Sequence, residues 1–133
     1  MEVKVTATLG TTLYQTEIQA GKNRISSDEP IDMGGGDTGL NPFELLASAL
    51  ASCTAATLRM YINRKNWEVD EISVVVEMIE DKLNKQTHFK REIHFKGGIL
   101  DEDQQKRLLV IAEKCPVHKV LTGNVTIETA INH

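Results

Sequence analysis

The chain has 133 residues, of which 41% are hydrophobic and 26% are charged, and its formal net charge is −4. This length and composition predict one packed domain over residues 1–133 and exclude disordered and collagen-like chains. The basic residues are dispersed and give no positive patch, so we expect no nucleic-acid partner. Two cysteines are too few for a disulfide-stapled secreted scaffold, and the N-terminus lacks the basic and apolar sections of a signal peptide, so we expect a cytoplasmic protein.

The N-terminal part predicts an antiparallel meander of three short strands over residues 2–9, 13–19 and 23–27, separated by glycine-containing turns. A loop rich in Gly, Pro, Asp and Ser follows from Ser26 to Pro42, and loops of this length are usually functional or mobile. Within it, Gly34 to Gly39 matches the GxGxxG spacing of dinucleotide-binding proteins, but no clear strand feeds into it and no parallel βαβ unit follows. We therefore expect a flexible loop at the mouth of a site, not a nucleotide site.

A long helix is predicted to begin at Pro42, because Asn41, Pro42 and Glu44 have the spacing of a capping box. The segment up to Ile62 is apolar on nearly all sides and would be about 31 Å long, which is enough to cross a membrane. It carries Glu44 and Arg59, and the neighbouring strands need a core to cover, so we predict a buried central helix and no membrane partner. One small sheet cannot cover such a helix, and we predict an intertwined homodimer with a second copy of it alongside.

The second half of the chain predicts a hairpin, a helix and a final strand. Apolar residues alternate from Trp67 to Glu80 and again around Phe89, Ile93 and Phe95, as in an antiparallel hairpin. Asp101 is predicted to cap a second helix. The alternation of Val125, Ile127, Thr129 and Ile131 predicts a last strand. The order of elements, βββ, helix, ββ, helix, β, predicts an α+β fold with antiparallel sheet.

The two cysteines differ in their sequence surroundings. Cys53 lies inside the central helix, where a cysteine is often only a small core residue. Cys115 directly precedes Pro116 and would stand at the start of a helical turn, where free N–H groups and the helix dipole favour a thiolate. His118 is on the same face and could tune this thiol or join it as a metal ligand, although a zinc site would lack a close cysteine pair and a fourth ligand. Redox, metal-binding and merely structural roles stay open at this point.

Two segments that contain the cysteines resemble the OsmC/Ohr family of thiol-dependent hydroperoxide reductases. They are GLNPFELLASALASCTAATL, from Gly39 to Leu58, and CPVHKVLTGNVTIETAI, from Cys115 to Ile131. The resemblance implies an OsmC-like α+β fold, with antiparallel sheets packed around a long central helix in an intertwined homodimer. It also implies a peroxidase without a cofactor that reduces organic hydroperoxides and serves in oxidative stress defence.

The resemblance further implies roles for single residues. Cys53 matches the peroxidatic cysteine and Cys115 the resolving cysteine, and a dithiol such as protein-bound dihydrolipoamide would reduce their disulfide. Glu44 is expected to orient an arginine over the thiolate in addition to its capping role. Phe43 stands where the peroxidase branches carry Glu, and the PFELL form with the DEP and GGGD segments looks more like a less characterised branch. The first hairpin has no arginine at the expected place, so Arg24 is the candidate for the activating arginine.

Two other functions compete with the peroxidase. The first is a non-catalytic redox sensor or small-ligand binding protein of the same fold, which would show ligand-dependent melting without peroxide turnover. The second is a structural zinc protein, which would contain zinc on elemental analysis.

Overall fold

A computed structural model describes residues 2–132. The chain divides into two compact units, Met1–Leu46 and Ala47–His133, and one long helix runs through the boundary. The single-domain organisation stays a prediction. The elements in chain order are β1 (Thr6–Leu9), β2 (Thr16–Ala20), β3 (Asn23–Ser27), a 3₁₀ turn (Ile31–Met33), α1 (Pro42–Arg64), β4 (Glu71–Asp81), β5 (Gln86–Lys96), α2 (Glu102–Ala112) and α3 (Pro116–Thr122).

The predicted meander forms the sheet of the first unit. Its strands pair antiparallel in the order β1-β2-β3. The tight turn between β2 and β3 contains Gly21 at φ 61°, a left-handed conformation that glycine adopts without steric cost. The first two strands are shorter than predicted, because residues before Thr6 do not pair and a turn closed by Gln15 N–H to Thr12 O (3.0 Å) precedes β2.

The glycine-rich loop is wound around one buried carboxylate, that of Asp28, which is 2% exposed. Asp28 accepts hydrogen bonds from the backbone N–H groups of Tyr14, Glu29, Gly36 and Thr38 and from the Thr38 hydroxyl, at 2.7–3.2 Å. The Thr38 hydroxyl, with these N–H groups, holds the pKa of Asp28 far below its ordinary value, although burial opposes the shift. The N–H groups that a phosphate would need therefore bind Asp28 instead, and the flexibility of the loop stays a prediction.

Helix α1 begins where the capping box predicts. Asn41 N–H donates to Glu44 Oε1 (2.9 Å) and Glu44 N–H donates to Asn41 Oδ1 (2.8 Å). Its buried residues are Leu50, Thr54, Leu58, Tyr61 and Ile62, which lie on one side of the helix. Burial around most of the circumference is therefore not observed in the single chain, where Phe43 and Met60 are 58% and 71% exposed.

The second unit has its core between α1, α2 and the hairpin β4–β5. The hairpin strands pair over eleven residues, from Glu71↔Lys96 to Asp81↔Gln86, as the alternation predicts. The inner face of the hairpin is half-buried and, apart from Arg91, apolar, and it packs on the core through Ile72, Ile93 and Phe95. The buried core residues are Leu58, Tyr61, Ile62, Val69, Leu108, Ile111 and Ala112. Helix α1 has the length and mean hydropathy to cross a membrane, but its buried stripe belongs to this core.

Helices α2 and α3 follow the hairpin. Asp101 caps α2 as predicted, since its side chain accepts from Gln104 N–H (2.7 Å) while the Gln104 side chain accepts from Asp101 N–H (2.9 Å). Helix α3 begins at Pro116, with Cys115 as the N-cap residue.

The predicted last strand is wrong for the single chain. Residues 124–132 form no helix or strand, and Val125, Ile127 and Ile131 are 62%, 87% and 92% exposed. The physical reason is that a strand needs a partner for its N–H and C=O groups, and none of the strands of residues 2–132 pairs with this segment. The observed order is therefore βββ, α, ββ, α, α.

Candidate active site

Cys53 lies on α1 at the edge of the buried stripe. Leu50, Thr54 and Leu58 recur every four residues and form that stripe, whereas Cys53 is displaced from Thr54 by one residue, or about 100° around the helix. The thiol is therefore only partly buried. Cys53 is therefore the more exposed of the two cysteines in the single chain.

Cys115 is fully buried, with 0% exposure, at the start of α3. Its carbonyl accepts from Lys119 N–H (3.2 Å), which anchors the residue to the first turn. The thiol makes no standard capping hydrogen bond, but the backbone N–H groups of His118 and Val117 face the sulfur closely enough to stabilise negative charge. The dipeptide Cys115-Pro116 therefore places a thiol among N–H donors, as the sequence predicts.

Both cysteines are free, and their thiols are close enough for each to shift the pKa of the other. Burial and the hydrogen bond to Cys115 raise the pKa of Cys53. For Cys115, burial opposes ionisation, but hydrogen bonds from the Cys53 thiol, the His118 N–H and the Thr54 hydroxyl outweigh it and lower its pKa. Cys115 is therefore the more readily ionised of the two thiols, and the ionisation of one affects that of the other.

Arg91 is the cationic side chain next to this pair. One guanidinium nitrogen donates to Thr54 Oγ1 (3.1 Å), and the other lies 3.0 Å from His118 Nδ1. A guanidinium only donates, so His118 Nδ1 is the acceptor in this contact. Thr54 follows Cys53 in the chain, and the His118 N–H faces Cys115. Arg91 thus contacts one neighbour of each cysteine.

Sequence reasoning missed Arg91, although a signal was present. Phe89, Arg91, Ile93 and Phe95 alternate along β5 and are half-buried, while the residues between them are exposed. Arg91 is therefore a charged residue at a position where the alternation requires an apolar one. Such an exception on the inner face of a hairpin indicates a polar site.

Thr54 connects Arg91 to the thiols through its hydroxyl. The residue is 0% exposed, and its hydroxyl donates to the Leu50 carbonyl (2.7 Å) while accepting from Arg91. The same hydroxyl faces Cys115, where it favours the thiolate. Because the hydroxyl has one proton, it bonds either to Leu50 or to a charged Cys115.

The other two predicted site residues, Glu44 and Arg24, lie in the first unit. Glu44 is the N3 residue of the capping box and binds Asn41. Arg24 lies on β3, with its side chain 61% exposed and 3.7 Å from the Glu17 carboxylate. Their predicted roles at the thiolate stay predictions.

No group of three or more His, Cys, Asp or Glu side chains within residues 2–132 has the arrangement needed to hold a metal ion. His118 directs its Nδ1 to Arg91.

The fold and the site together define an α+β protein with a paired-thiol site. Residues 34–130 match the family described as OsmC-like protein. The chain therefore belongs to the OsmC-like protein family.

Two curated relatives from Bacillus subtilis (strain 168) are similar in sequence. The uncharacterized protein YmaD is 26% identical over 119 residues, which cover 84% of this chain and 79% of YmaD. The organic hydroperoxide resistance protein OhrB is 30% identical over 95 residues, which cover 70% of each chain.

Solved structures confirm the OsmC-like fold. A crystal structure of a protein from Psychrobacter arcticus 273-4 superposes with a TM-score of 0.77 at 24% identity, covering 90% of this chain and 88% of that one. The crystal structure of OhrB from Bacillus subtilis superposes with a TM-score of 0.61 at 27% identity, covering 93% of both chains. The predicted family and fold class are therefore confirmed.

Proposed function

We propose that this chain is a thiol-dependent peroxidase that reduces organic hydroperoxides through Cys53 and Cys115 and serves in oxidative stress defence. The observation that carries the proposal is the contact between two free thiols that differ in exposure, one partly accessible and one fully buried. The family includes organic hydroperoxide reductases, and OhrB is named for organic hydroperoxide resistance. Both facts support the proposal.

In the first step, Cys53 is the nucleophile because a peroxide can reach its sulfur and cannot reach that of Cys115. Cys53 becomes the thiolate when its proton passes to Cys115 along their hydrogen bond. The thiolate attacks the terminal peroxide oxygen, and the O–O bond breaks with its electron pair going to the alkoxide. Cys53 is oxidised to sulfenic acid, and the alkoxide takes the proton from Cys115 and leaves as an alcohol.

In the second step, Cys115 is the resolving thiolate. The donors around its sulfur lower its pKa, so the thiol that has just lost its proton stays ionised. Its sulfur attacks the sulfur of the Cys53 sulfenic acid, the S–O bond breaks, and the departing hydroxide takes a proton from solvent as water. The two sulfurs are then joined in a disulfide.

A dithiol reductant completes the cycle by thiol–disulfide exchange, and a lipoylated protein is our candidate. Such a cycle requires a reducing compartment, which supports the cytoplasm as the location. We retain Glu44 and Arg24 as proposed contributors to thiolate activation. Arg24→Gln and Glu44→Gln in the peroxide assay test these two roles separately.

We also propose that the chain works as a homodimer. The alternating apolar side chains Val125, Ile127 and Ile131 are exposed at 62–92%, and Phe43 and Met60 on α1 are exposed too. Large apolar side chains exposed in this number favour an interaction with a partner that covers them. Light scattering on the purified protein should give twice the mass of one chain, and the mass of a single chain would refute the dimer.

Stopped-flow reduction of cumene hydroperoxide tests the peroxidase. We expect fast oxidation of the wild type and loss of the fast phase in Cys53→Ser. In Cys115→Ser, a dimedone adduct should accumulate on Cys53, because the sulfenic acid is not resolved. Equal, slow rates in the wild type and Cys53→Ser would refute the proposal. Ligand-dependent melting shifts without peroxide turnover would favour the sensor or ligand-binding alternative.

A further inference from the structure

Arg91 occupies a place on the hairpin where a charge is costly. It pairs with Val76 across the hairpin and shares the inner face with Phe89 and Ile93. A guanidinium that is taken out of water loses hydration, and only good hydrogen bonds compensate for the loss. Among residues 2–132, no carboxylate forms a salt bridge with Arg91. The stability of the fold alone gives no reason for an arginine at this position.

The two hydrogen bonds of Arg91 explain why an arginine stands at this position. The planar guanidinium reaches two acceptors at once, Thr54 Oγ1 on α1 and His118 Nδ1 on α3, at 3.1 and 3.0 Å. These are the two helical segments that carry or border the cysteines, since α1 contains Cys53 and α3 begins after Cys115. One side chain from β5 therefore bridges the two thiol-bearing segments.

The contacts of Arg91 also reach the sulfur atoms through one further bond. The His118 N–H and the Thr54 hydroxyl, whose proton goes to Leu50 O in this structure, both favour the thiolate form of Cys115. By accepting from Arg91, Thr54 Oγ1 keeps its own proton available for Leu50 or Cys115. Besides the two thiols, the charged or titratable side chains in this network are Arg91, with its fixed charge, and His118.

We propose that Arg91 is the positioning residue of this thiol site, holding Thr54 and His118 so that Cys53 and Cys115 stay in contact and negative charge is stabilised on the pair. Its use in peroxide reduction rests on the proposed function, but its effect on the thiols does not. Arg91 acts through Thr54 and His118 and supplies the positive charge of the site from the hairpin β4–β5.

The test measures thiolate formation directly, through the ultraviolet absorbance of thiolates as a function of pH in the reduced protein. Arg91→Met removes the charge and both hydrogen bonds while keeping an apolar side chain of similar length. Arg91→Lys keeps the charge, but a compact ammonium group does not reproduce the planar guanidinium, whose two nitrogens bond Thr54 and His118 at the same time. The matched control is Arg59→Met, because Arg59 is also half-buried but donates only to the carbonyls of Val69 and Asp70.

We expect the thiolate population of Arg91→Met, measured below the midpoint of the first ionisation, to fall about tenfold, which corresponds to a midpoint about one pH unit higher. Arg91→Lys should lose about threefold, and Arg59→Met should titrate like the wild type. The Tm of Arg91→Met should not fall, because methionine suits the apolar face. Coinciding titrations of Arg91→Met and the wild type would overturn the proposal, whatever the Tm.

The same variants assayed with cumene hydroperoxide separate this proposal from the proposed function. A raised midpoint together with a lower kcat/KM supports both. A raised midpoint in a protein without peroxide turnover supports the positioning role and refutes the peroxidase. Normal turnover with an unchanged midpoint refutes the positioning role and leaves the peroxidase intact.

Discussion

Replacing Thr54 with valine should make the thiol pair harder to ionise. Valine has nearly the same shape as threonine and carries a methyl group in place of the hydroxyl, so this fully buried position stays filled. The hydroxyl is lost, and with it the acceptor for Arg91 and one donor to Cys115. Leu50 O keeps its helical partner, so no buried carbonyl is left without a hydrogen bond. The substitution therefore acts mainly on the thiolate.

The size of the effect follows from the two partners of the hydroxyl. A hydrogen bond to a charged group contributes about 1.5–3 kcal/mol, and a neutral one about 1 kcal/mol. The hydroxyl gives up its bond to Leu50 (2.7 Å) in order to donate to the thiolate, so the net stabilisation of the charge is about 0.5–2 kcal/mol. At about 1.4 kcal/mol per factor of ten, the thiolate population should fall roughly 2- to 30-fold at a pH below the midpoint.

Thiolate absorbance over a pH series measures this effect, and Thr54→Ser is the control because serine keeps the hydroxyl. Since the lost donor raises the pKa of Cys115, Thr54→Val should differ from the wild type below the midpoint and converge with it at high pH. Thr54→Ser should follow the wild type. Identical curves for Thr54→Val and the wild type would show that the hydroxyl remains with Leu50, and the reasoning would be wrong.

Three further predictions concern the rest of the chain. The folded state holds the pKa of Asp28 below its ordinary value, so the carboxylate stabilises the fold above about pH 4, and this stabilisation is lost as the pH falls further. The Tm of the wild type should therefore approach that of Asp28→Asn on acidification. A constant difference between the two Tm values would contradict this prediction. Leu58→Ala removes a core side chain with 0% exposure and should lower the free energy of unfolding by about 2–5 kcal/mol in urea titrations, whereas the exposed Leu83→Ala should change it little. Ile127→Lys places a charge in the exposed C-terminal apolar segment and should convert the proposed dimer to a monomer, so that light scattering gives the mass of one chain. A dimer of unchanged stability would show that the interface lies elsewhere.

The parts of the fold that depend on neighbouring residues were predictable from the sequence. The capping boxes at Asn41 and Asp101 set the starts of α1 and α2, because each involves side chains only three residues apart. The hairpin followed from alternation, and the place of Cys115 at the start of α3 followed from Pro116. These predictions need no knowledge of distant contacts.

The parts that depend on distant contacts were not predictable. The conformation of the glycine-rich loop comes from Asp28, whose bonds reach Tyr14 on one side and Thr38 on the other. The contact of Arg91 with His118 joins residues 27 positions apart, and no local pattern encodes it. The prediction of a last strand is wrong for a related reason. Alternation identifies a segment that can form a strand, but it does not supply the second strand with which that segment must pair.

The carboxylate of Asp28 is in effect a ligand that the chain carries permanently. Loops with this glycine spacing commonly bind a diffusing phosphate, and their order then varies with the solute concentration. Here the anion is part of the chain, so its local concentration is fixed by the chain and does not vary with the solution. The N–H groups of the loop between β3 and α1 are therefore bound without any ligand from solution, for as long as Asp28 stays ionised.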